Sequence, residues 1–341
     1  MLNLVKELCL LNGVSSGEDD VRDYLMERCR PYAASMRVDA LGNLIVFKRG
    51  EMSTGSRLML TAHMDEVGFI VNYITEDGYL KFAPVGGIDP LVVIGKRVSV
   101  GRGRIPGAIG LKAYHLVSAE EEKKVPKLDD LYVDIGAGSR AEAQELVAVV
   151  DSVTFVSDSV PFGSGMLKAK ALDDRIGCAV MMKLLEEELP LDTTFVFTVQ
   201  EEVGSRGAFG AAFSVQPELA LVLETTTAAD LPGVGEEQRV CAPGKGPVIP
   251  FMDLGCVADR ELFELLRRTA RENGIPWQTK HYLSGGNDAA AIQRTRTGVR
   301  TATLAAAVRY LHAPASVASV RDMEDMLKLA RLFLHAVAQR V

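Results

Sequence analysis

The sequence is poor in several features that mark particular classes of protein. No apolar run reaches the roughly 18 residues that a membrane-spanning helix needs, and no basic segment with a small-residue cleavage site marks the amino terminus as a secretory signal. Acidic residues outnumber basic ones, 45 Asp and Glu against 38 Lys and Arg, and the net charge is −7. This balance is unlike that of most nucleic-acid-binding proteins. We therefore expect neither a membrane nor a nucleic acid as a partner.

Cysteine is also scarce, with five residues in a chain of 341. These are Cys9, Cys29, Cys178, Cys241 and Cys256. Their odd number and irregular spacing fit neither a disulfide framework nor a cysteine metal site. We expect buried free thiols in a reducing environment, which predicts a cytoplasmic location.

The residues that are present predict a large globular core, since 48% are hydrophobic and 24% charged. Apolar spacing predicts a helix over 2–11, and an acid-rich segment after Ser16 predicts a second helix. Apolar runs within 42–50 and 57–71 predict strands, the second of which ends near its polar cluster. After about residue 168 helix and strand patterns alternate again, up to a C-terminal helix over 321–341.

The middle of the chain has a different texture, with short β-like runs broken by glycine, proline and aspartate. Regular turn signals of this kind predict a small barrel or a sandwich, of which we favour the barrel. Residues 71–164 are therefore predicted to form an inserted β-rich domain. Residues 1–70 and 165–341 together predict one α/β domain, with a mostly parallel central sheet and helices on both faces.

Histidines and carboxylates follow the apolar runs of the α/β part. In an open α/β sheet, binding sites form outside the carboxyl ends of the strands. The residues at predicted strand or loop ends are His63, Asp65, Asp173, Asp174, Glu201, Glu202, Glu224 and His312. Mixed histidine and carboxylate ligands suit Zn²⁺, Co²⁺ or Mn²⁺. The set exceeds the needs of one tetrahedral ion and suits two ions about 3.5–4 Å apart that share a carboxylate.

Five motifs carry a resemblance to a known family. The segments AHMDEVG, ALDDR, QEEVGSRGA, GGNDAAAI and RYLHAP, in this order, resemble the M42 family of dinuclear metalloaminopeptidases. The resemblance runs nearly end to end and includes SGEDDV, DALGNL, GGIDP and LYVDIGA. It implies hydrolysis of peptides with a free N-terminus, two divalent ions per chain and a homo-oligomer, often of twelve chains in a tetrahedral shell.

The resemblance also implies roles for individual residues. His63 corresponds to a terminal ligand of one ion, and Asp65 to the acid that orients this histidine. Asp173 corresponds to the carboxylate that bridges both ions, and in related enzymes a cis peptide follows it. Glu202 corresponds to a ligand of one ion, and His312 to a ligand of the other.

Glu201, next to Glu202, corresponds to the general base that holds the bridging water and passes its proton to the leaving amine. The chain departs from the family at the fifth ligand, where many relatives have aspartate. Glu224 stands at this place, and we prefer it because glutamate also binds through oxygen. Asp230, six residues further on, is the alternative.

Three other functions stay open. A metal-dependent deacylase or carboxypeptidase needs the same activated water with a different substrate clamp. A glycosidase would use Glu201 and a second acid, and it leaves both histidines unexplained. A catalytically inactive scaffold of the same fold is the third, although the complete ligand set argues against it. The preferred N-terminal residue does not follow from the sequence.

Several further residues allow two interpretations. Asp288 either positions the site through hydrogen bonds or caps a turn. Lys245 faces the cleft or, as we favour, the solvent. Arg309 contacts substrate or pairs with an acid. The apolar runs 91–95 and 131–136 belong to an oligomer interface or, as we favour, to the core of the insert.

Overall fold

The fold of the chain consists of a nine-stranded sheet with helices on both faces and a separate closed barrel of six strands. The structure is a computed structural model, and it describes residues 1–53 and 57–340. No helix in these two ranges is long and apolar enough to cross a membrane.

The large sheet has the strand order β1-β2-β12-β3-β13-β14-β15-β11-β10. Its strands are β1 (Ser35–Val38), β2 (Leu44–Lys48), β3 (Leu58–His63), β10 (Val160–Phe162), β11 (Met166–Ala169), β12 (Thr193–Thr198), β13 (Leu219–Thr227), β14 (Arg300–Arg309) and β15 (Ser316–Ser319). The four central strands, β12, β3, β13 and β14, are parallel, and the outer ones pair antiparallel. The predicted central sheet is confirmed, and its parallel part brings four carboxyl ends to one edge.

Eight α-helices cover this sheet and one side of the barrel in the described chain. They are α1 (Leu2–Cys9), α2 (Asp19–Cys29), α3 (Arg140–Leu146), α4 (Leu172–Leu185), α5 (Arg206–Val215), α6 (Arg260–Glu272), α7 (Ala289–Ile292) and α8 (Val320–Ala338). On β12, Phe195 and Phe197 pack toward the core that includes α4 and α8, while Val196 packs toward α5 and α7. Both faces of the strand are buried, which explains its continuous apolar sequence.

The barrel has the order β4-β5-β8-β7-β6-β9 and closes on itself. Its strands are β4 (Gly68–Ile74), β5 (Leu80–Val85), β6 (Arg97–Val100), β7 (Ile105–Gly110), β8 (Tyr132–Asp134) and β9 (Ser152–Phe155). Phe69 packs edge-on against Phe82 and Phe155, with ring centroids 4.8 and 5.5 Å apart. Val93, Leu131 and Val133 lie in the same core, so the favoured placement of their apolar runs is confirmed.

One local prediction is confirmed and another needs adjustment. The strand predicted within 57–71 ends at the polar cluster, because β3 ends at His63, and β4 then begins at Gly68 in the barrel. The helix predicted over 2–11 ends at Cys9, and Leu10, the residue that follows it, is exposed. The break after His63 is the point where the chain leaves the sheet and enters the barrel.

Candidate active site

The predicted strand-end residues meet at the carboxyl edge of the central sheet. His63 is the last residue of β3, and Glu201 and Glu202 follow β12. Glu224 lies inside β13, three residues before its end, and His312 follows β14 by three residues. All of them line one polar cavity or its rim.

A first cluster, here called the inner group, consists of His63, Asp173 and Glu224. The Nε2 atom of His63 lies 3.3 Å from Oδ1 of Asp173 and 3.5 Å from Oε1 of Glu224. His63 is 1% exposed. Three ligand atoms within 4.8 Å of one another form a pocket that one ion can fill.

A second cluster, the outer group, consists of Asp173, Glu202 and His312. The Nε2 atom of His312 lies 3.3 Å from Oε2 of Glu202 and 3.5 Å from Oδ2 of Asp173. The side chain of His312 is 35% exposed, far more than that of His63. The outer group therefore lies nearer the solvent.

Asp173 belongs to both groups through different oxygens. Its Oδ1 faces His63 and its Oδ2 faces His312. The backbone of Asp173 and Asp174 is not helical, and the regular part of α4 begins after them. The peptide between Asp173 and Asp174 is cis, as the resemblance predicts. Because its two oxygens face different histidines, the carboxylate of Asp173 can serve two adjacent positions.

Each histidine directs one ring nitrogen at its group and the other at a backbone carbonyl. Nδ1 of His63 lies 3.0 Å from the carbonyl of Asp65, and Nδ1 of His312 lies 2.7 Å from the carbonyl of Gly87. Since a carbonyl only accepts, each Nδ1 carries the hydrogen and donates. A neutral ring then offers the lone pair of Nε2 to a cation.

The electrostatics of the site fit bound cations. Burial raises the pKa of Glu202 to about 8 and that of Glu224 to about 7. Burial alone lowers the pKa of His312, but Asp173 and Glu202 reverse the effect and raise it to about 9. These raised pKa values show that the site favours bound protons where no cation is present. Divalent ions would displace these protons, and the nitrogen and oxygen donors match Zn²⁺ and related ions.

Glu201 lies beside these groups without belonging to either. Burial raises the pKa of its carboxyl well above the ordinary value. Its Oε1 accepts a hydrogen bond from Oγ of Ser205 at 3.3 Å. Glu201 and Glu202 therefore diverge, so that Glu202 turns to the outer group while Glu201 faces the open cavity.

Asp65 holds the loop that carries both glutamates. Its carboxylate accepts the backbone N–H of Glu201 at 3.0 Å, that of Glu202 at 3.1 Å, and the hydroxyl of Ser15 at 2.6 Å. Its Oδ1 lies 3.4 Å from Nδ1 of His63, which is farther than its own carbonyl. Asp65 thus contacts both the histidine and the segment that presents Glu201.

The positions of Glu224 and of Asp230, the alternative fifth ligand, differ in the structure. Asp230 forms a two-bond ion pair with Arg309, at 2.5 and 2.8 Å, and lies outside both groups. Arg309 accordingly pairs with an acid. Asp288 is buried and accepts a 2.6 Å hydrogen bond from Thr198, so it braces the end of β12. Lys245 is exposed, as favoured.

Several residues at the site were missed by the sequence analysis. Oγ1 of Thr225 donates to Oδ1 of Asp173 at 2.8 Å. Behind His63, the buried Lys170 pairs with Glu66 at 2.6 Å, and Arg175 donates to the carbonyl of Met64. Lys170 directly precedes the ALDDR motif and Arg175 is its last residue, and only these positions pointed to them.

A cavity of about 300 Å³ opens in front of both groups. Its other walls are formed by the end of β13 and by the loop before α7. The lining residues from these two segments are Thr225, Thr226, Thr227, Lys280, Ser284, Gly285, Gly286 and Asn287. Lys280 was not considered in the sequence analysis, because no motif surrounds it.

Comparison with known proteins places the chain among the metal-dependent peptide hydrolases of the aminopeptidase class. It belongs to the M42 glutamyl aminopeptidase family, whose profile matches residues 42–329. A protein of Acetivibrio thermocellus, provisionally assigned as an aminopeptidase, is 38% identical over 96% of this chain and 97% of its own. The lysyl aminopeptidase of Pyrococcus furiosus is 32% identical, over 97% and 96%. The glutamyl aminopeptidase of Lactococcus lactis is 31% identical, over 99% and 95%.

Solved structures give the same placement. An aminopeptidase from the archaeon Desulfurococcus kamchatkensis superposes with a TM-score of 0.92 at 34% identity, over 98% of this chain and 94% of its own. The TET1 peptidase of Pyrococcus horikoshii, which can assemble into a tetrahedron or a large octahedral shell, has a TM-score of 0.86 at 33% identity, over 97% and 98%. The predicted family and the enzyme class are confirmed.

Proposed function

We propose that this chain is a two-ion aminopeptidase that removes N-terminal residues from short peptides, with Glu201 as the general base. The observation that carries the proposal is the position of Asp173, whose two oxygens face two separate histidine–carboxylate pairs. A single ion would leave one of these pairs without a partner. The metal ligands in this proposal are His63, Asp173, Glu202, Glu224 and His312.

Zn²⁺ or Co²⁺ suits the mixed nitrogen and oxygen donors, and Mn²⁺ is a further choice. Two such ions, when bound, lower the pKa of a water molecule and polarise the carbonyl of the peptide. Side chains of the protein bind and position the substrate and transfer the proton.

Glu201 is placed to move the proton. Its carboxylate takes a proton from the attacking water and later donates it to the nitrogen of the leaving amine. Burial, which raises its pKa, favours uptake of the proton by the carboxylate, which holds it until the more basic amine takes it. Asp65 keeps the base in position through the backbone N–H of Glu201.

Two observations favour peptide hydrolysis over the alternatives. A glycosidase needs two opposed carboxylates and no histidine, whereas His63 and His312 each lie in one of the groups. A scaffold without catalysis would not need Glu201 free in the cavity. A deacylase or carboxypeptidase shares the activated water, and substrate assays separate these activities.

The substitution Glu201→Gln tests the base. We expect both ions to remain and kcat for aminoacyl anilides to fall by about 10²–10⁴-fold, the usual contribution of general base catalysis. Elemental analysis and steady-state kinetics are the measurements, and EDTA should abolish the wild-type activity. If Glu201→Gln retains more than a tenth of the wild-type kcat, Glu201 is not the general base.

The names of the relatives suggest an assembly as well. The shell described for the Pyrococcus horikoshii peptidase supports a homo-oligomer here, with the inserted domain, residues 71–164, supplying contacts or controlling access. A shell admits only short unfolded peptides, which would protect folded proteins in the cytoplasm. Twelve chains of 36.9 kDa would weigh about 443 kDa. Light scattering tests this, and a monomer at micromolar concentration would contradict it.

Membership of the family leaves the preferred N-terminal residue open. One relative is named for lysyl substrates and another for glutamyl substrates, at 32% and 31% identity. Overall similarity therefore does not choose between a basic and an acidic N-terminal residue, and the choice depends on the walls of the cavity.

A further inference from the structure

The cavity in front of the two groups has walls of opposite character. One wall carries the carboxylates of Asp173, Glu201, Glu202 and Glu224. Apart from the two histidines and Leu311, the rest of the lining consists of threonine, serine, glycine and asparagine, with Lys280 among them. In the described chain, Lys280 is the one lysine or arginine that lines this cavity.

The ammonium group of Lys280 forms a hydrogen bond but, among the described residues, no ion pair. Its Nζ donates to the carbonyl of Ser284 at 3.0 Å. An ammonium has three donors, so two remain for a ligand. Within the described ranges, no carboxylate oxygen lies within 4.0 Å of this nitrogen.

The two acids whose charges act on Lys280, Asp253 and Glu224, are already engaged, and Glu224 belongs to the inner group. Asp253 is buried, and its carboxylate accepts hydrogen bonds from the backbone of Gly255 and Cys256 and from the amide of Asn287. Burial lowers the pKa of Lys280, while the charge of Asp253 opposes this effect. Lys280 thus has a half-buried charge whose own partner is missing from the wall.

An unpaired, half-buried ammonium is costly unless a ligand supplies the opposite charge. A substrate whose scissile bond lies at Glu201 has room for the side chain of its first residue in the space beside Lys280. That space is small and polar, and among its lining residues in the described chain Leu311 alone has an aliphatic side chain. A cavity of about 300 Å³ is at the lower end of the range for ligand pockets.

Resting on the proposed aminopeptidase function, we propose that Lys280 determines specificity by binding the side-chain carboxylate of an acidic N-terminal residue, glutamate or aspartate. An N-terminal lysine or arginine would bring a like charge against Lys280. A leucine would cover the ammonium and offer it no hydrogen bond. The order of preference is therefore acidic, then uncharged polar, then aliphatic or basic.

The test compares glutamyl and glutaminyl p-nitroanilide, which differ in charge and hardly in shape. We expect the wild-type kcat/KM to favour the glutamyl substrate by about 10–100-fold, the contribution of charge-assisted hydrogen bonds. Lys280→Met should reduce this ratio to about one, chiefly through a loss of kcat/KM for the glutamyl substrate. Lys280→Arg should keep the preference, because the charge remains. Lys245→Met, which removes an exposed lysine, is the matched control and should change nothing.

Two outcomes would overturn the proposal. One is turnover of both anilides by wild type at equal kcat/KM. The other is an unchanged ratio in Lys280→Met, especially if that variant instead loses its discrimination between a dipeptide and the dipeptide amide, which would assign Lys280 to the C-terminal carboxylate. Calorimetry with L-glutamate and L-glutamine separates this proposal from the proposed function. If no anilide is hydrolysed but L-glutamate binds in a Lys280-dependent manner, the role of Lys280 is supported and the proposed aminopeptidase function is wrong. If no anilide is hydrolysed and both amino acids bind equally, both proposals are wrong.

Discussion

The inner and the outer group share Asp173 but rest on different parts of the molecule. The inner group is built within the sheet, where His63 ends β3 and Glu224 lies in β13. Behind it, the buried ion pair of Lys170 and Glu66 anchors the segment after β3. These supports all come from the α/β part of the described chain.

The outer group depends on the barrel as well. His312 lies in a loop after β14 with a positive φ of 58°. Its Nδ1 is fixed by the carbonyl of Gly87, which follows barrel strand β5. The difference indicates that the inner position forms with the sheet, whereas the outer position is complete only when the barrel is docked. We therefore expect the outer ion to be the weaker and the more easily exchanged.

The largest effect should follow the loss of the shared carboxylate. Asp173→Ala removes an oxygen from each group, and we expect less than one ion per chain. Activity should fall by about 10³-fold or more, because the ions supply several kcal/mol of transition-state stabilisation. Elemental analysis and anilide kinetics measure both. Asp230→Ala is the control, since Asp230 pairs with Arg309 outside the groups, and two ions bound to Asp173→Ala would place the bridge elsewhere.

The support behind the inner group can be removed by Glu66→Gln. Lys170 would then be buried without a counter-charge, and we expect the free energy of unfolding to fall by about 3–5 kcal/mol. Glu187→Gln breaks the partly exposed pair with Arg331 and should cost about 1 kcal/mol or less. Urea unfolding compares the two variants. Equal losses of unfolding free energy would show that the buried pair of Lys170 and Glu66 stabilises the fold no more than a partly exposed pair does.

The smallest effect should come from the barrel side. Gly86 has a φ of 85°, and a Cβ there would lie 2.7 Å from Cγ1 of Val67. Gly86→Ala should weaken the outer ion by about tenfold, because a positive φ costs a residue with a side chain about 1–2 kcal/mol. At Gly103, in the barrel turn between β6 and β7, a Cβ meets nothing closer than 3.5 Å, so Gly103→Ala is the matched control. Competition with a chelator measures both, and an equal loss of inner and outer ions in Gly86→Ala would contradict the separation.

The sequence was sufficient for the parts of the site that follow apolar strands. Apolar runs mark strands, and parallel strands bring their carboxyl ends to one edge. This argument was enough to expect His63, Glu201, Glu202 and His312 together. The closed barrel was also predictable, because its turns recur at short intervals.

The remaining parts have no local signal. The carbonyl that fixes His312 belongs to Gly87, 225 residues away in the chain, and a backbone atom leaves no trace in the residue type. Lys170 and Glu66 pair across 104 residues. Lys280 stands in a loop without a motif, and only the fold shows that it faces the cavity while Lys245 does not.

The number of bound ions per chain distinguishes one metal position from two positions that share Asp173. Wild type, Glu224→Ala and His312→Ala are saturated with Zn²⁺, desalted and analysed for zinc and protein. We expect two ions per chain in wild type and one in each variant, because each substitution removes a ligand from one group only. One ion per chain in wild type, or two in both variants, would contradict a pair of sites joined by Asp173.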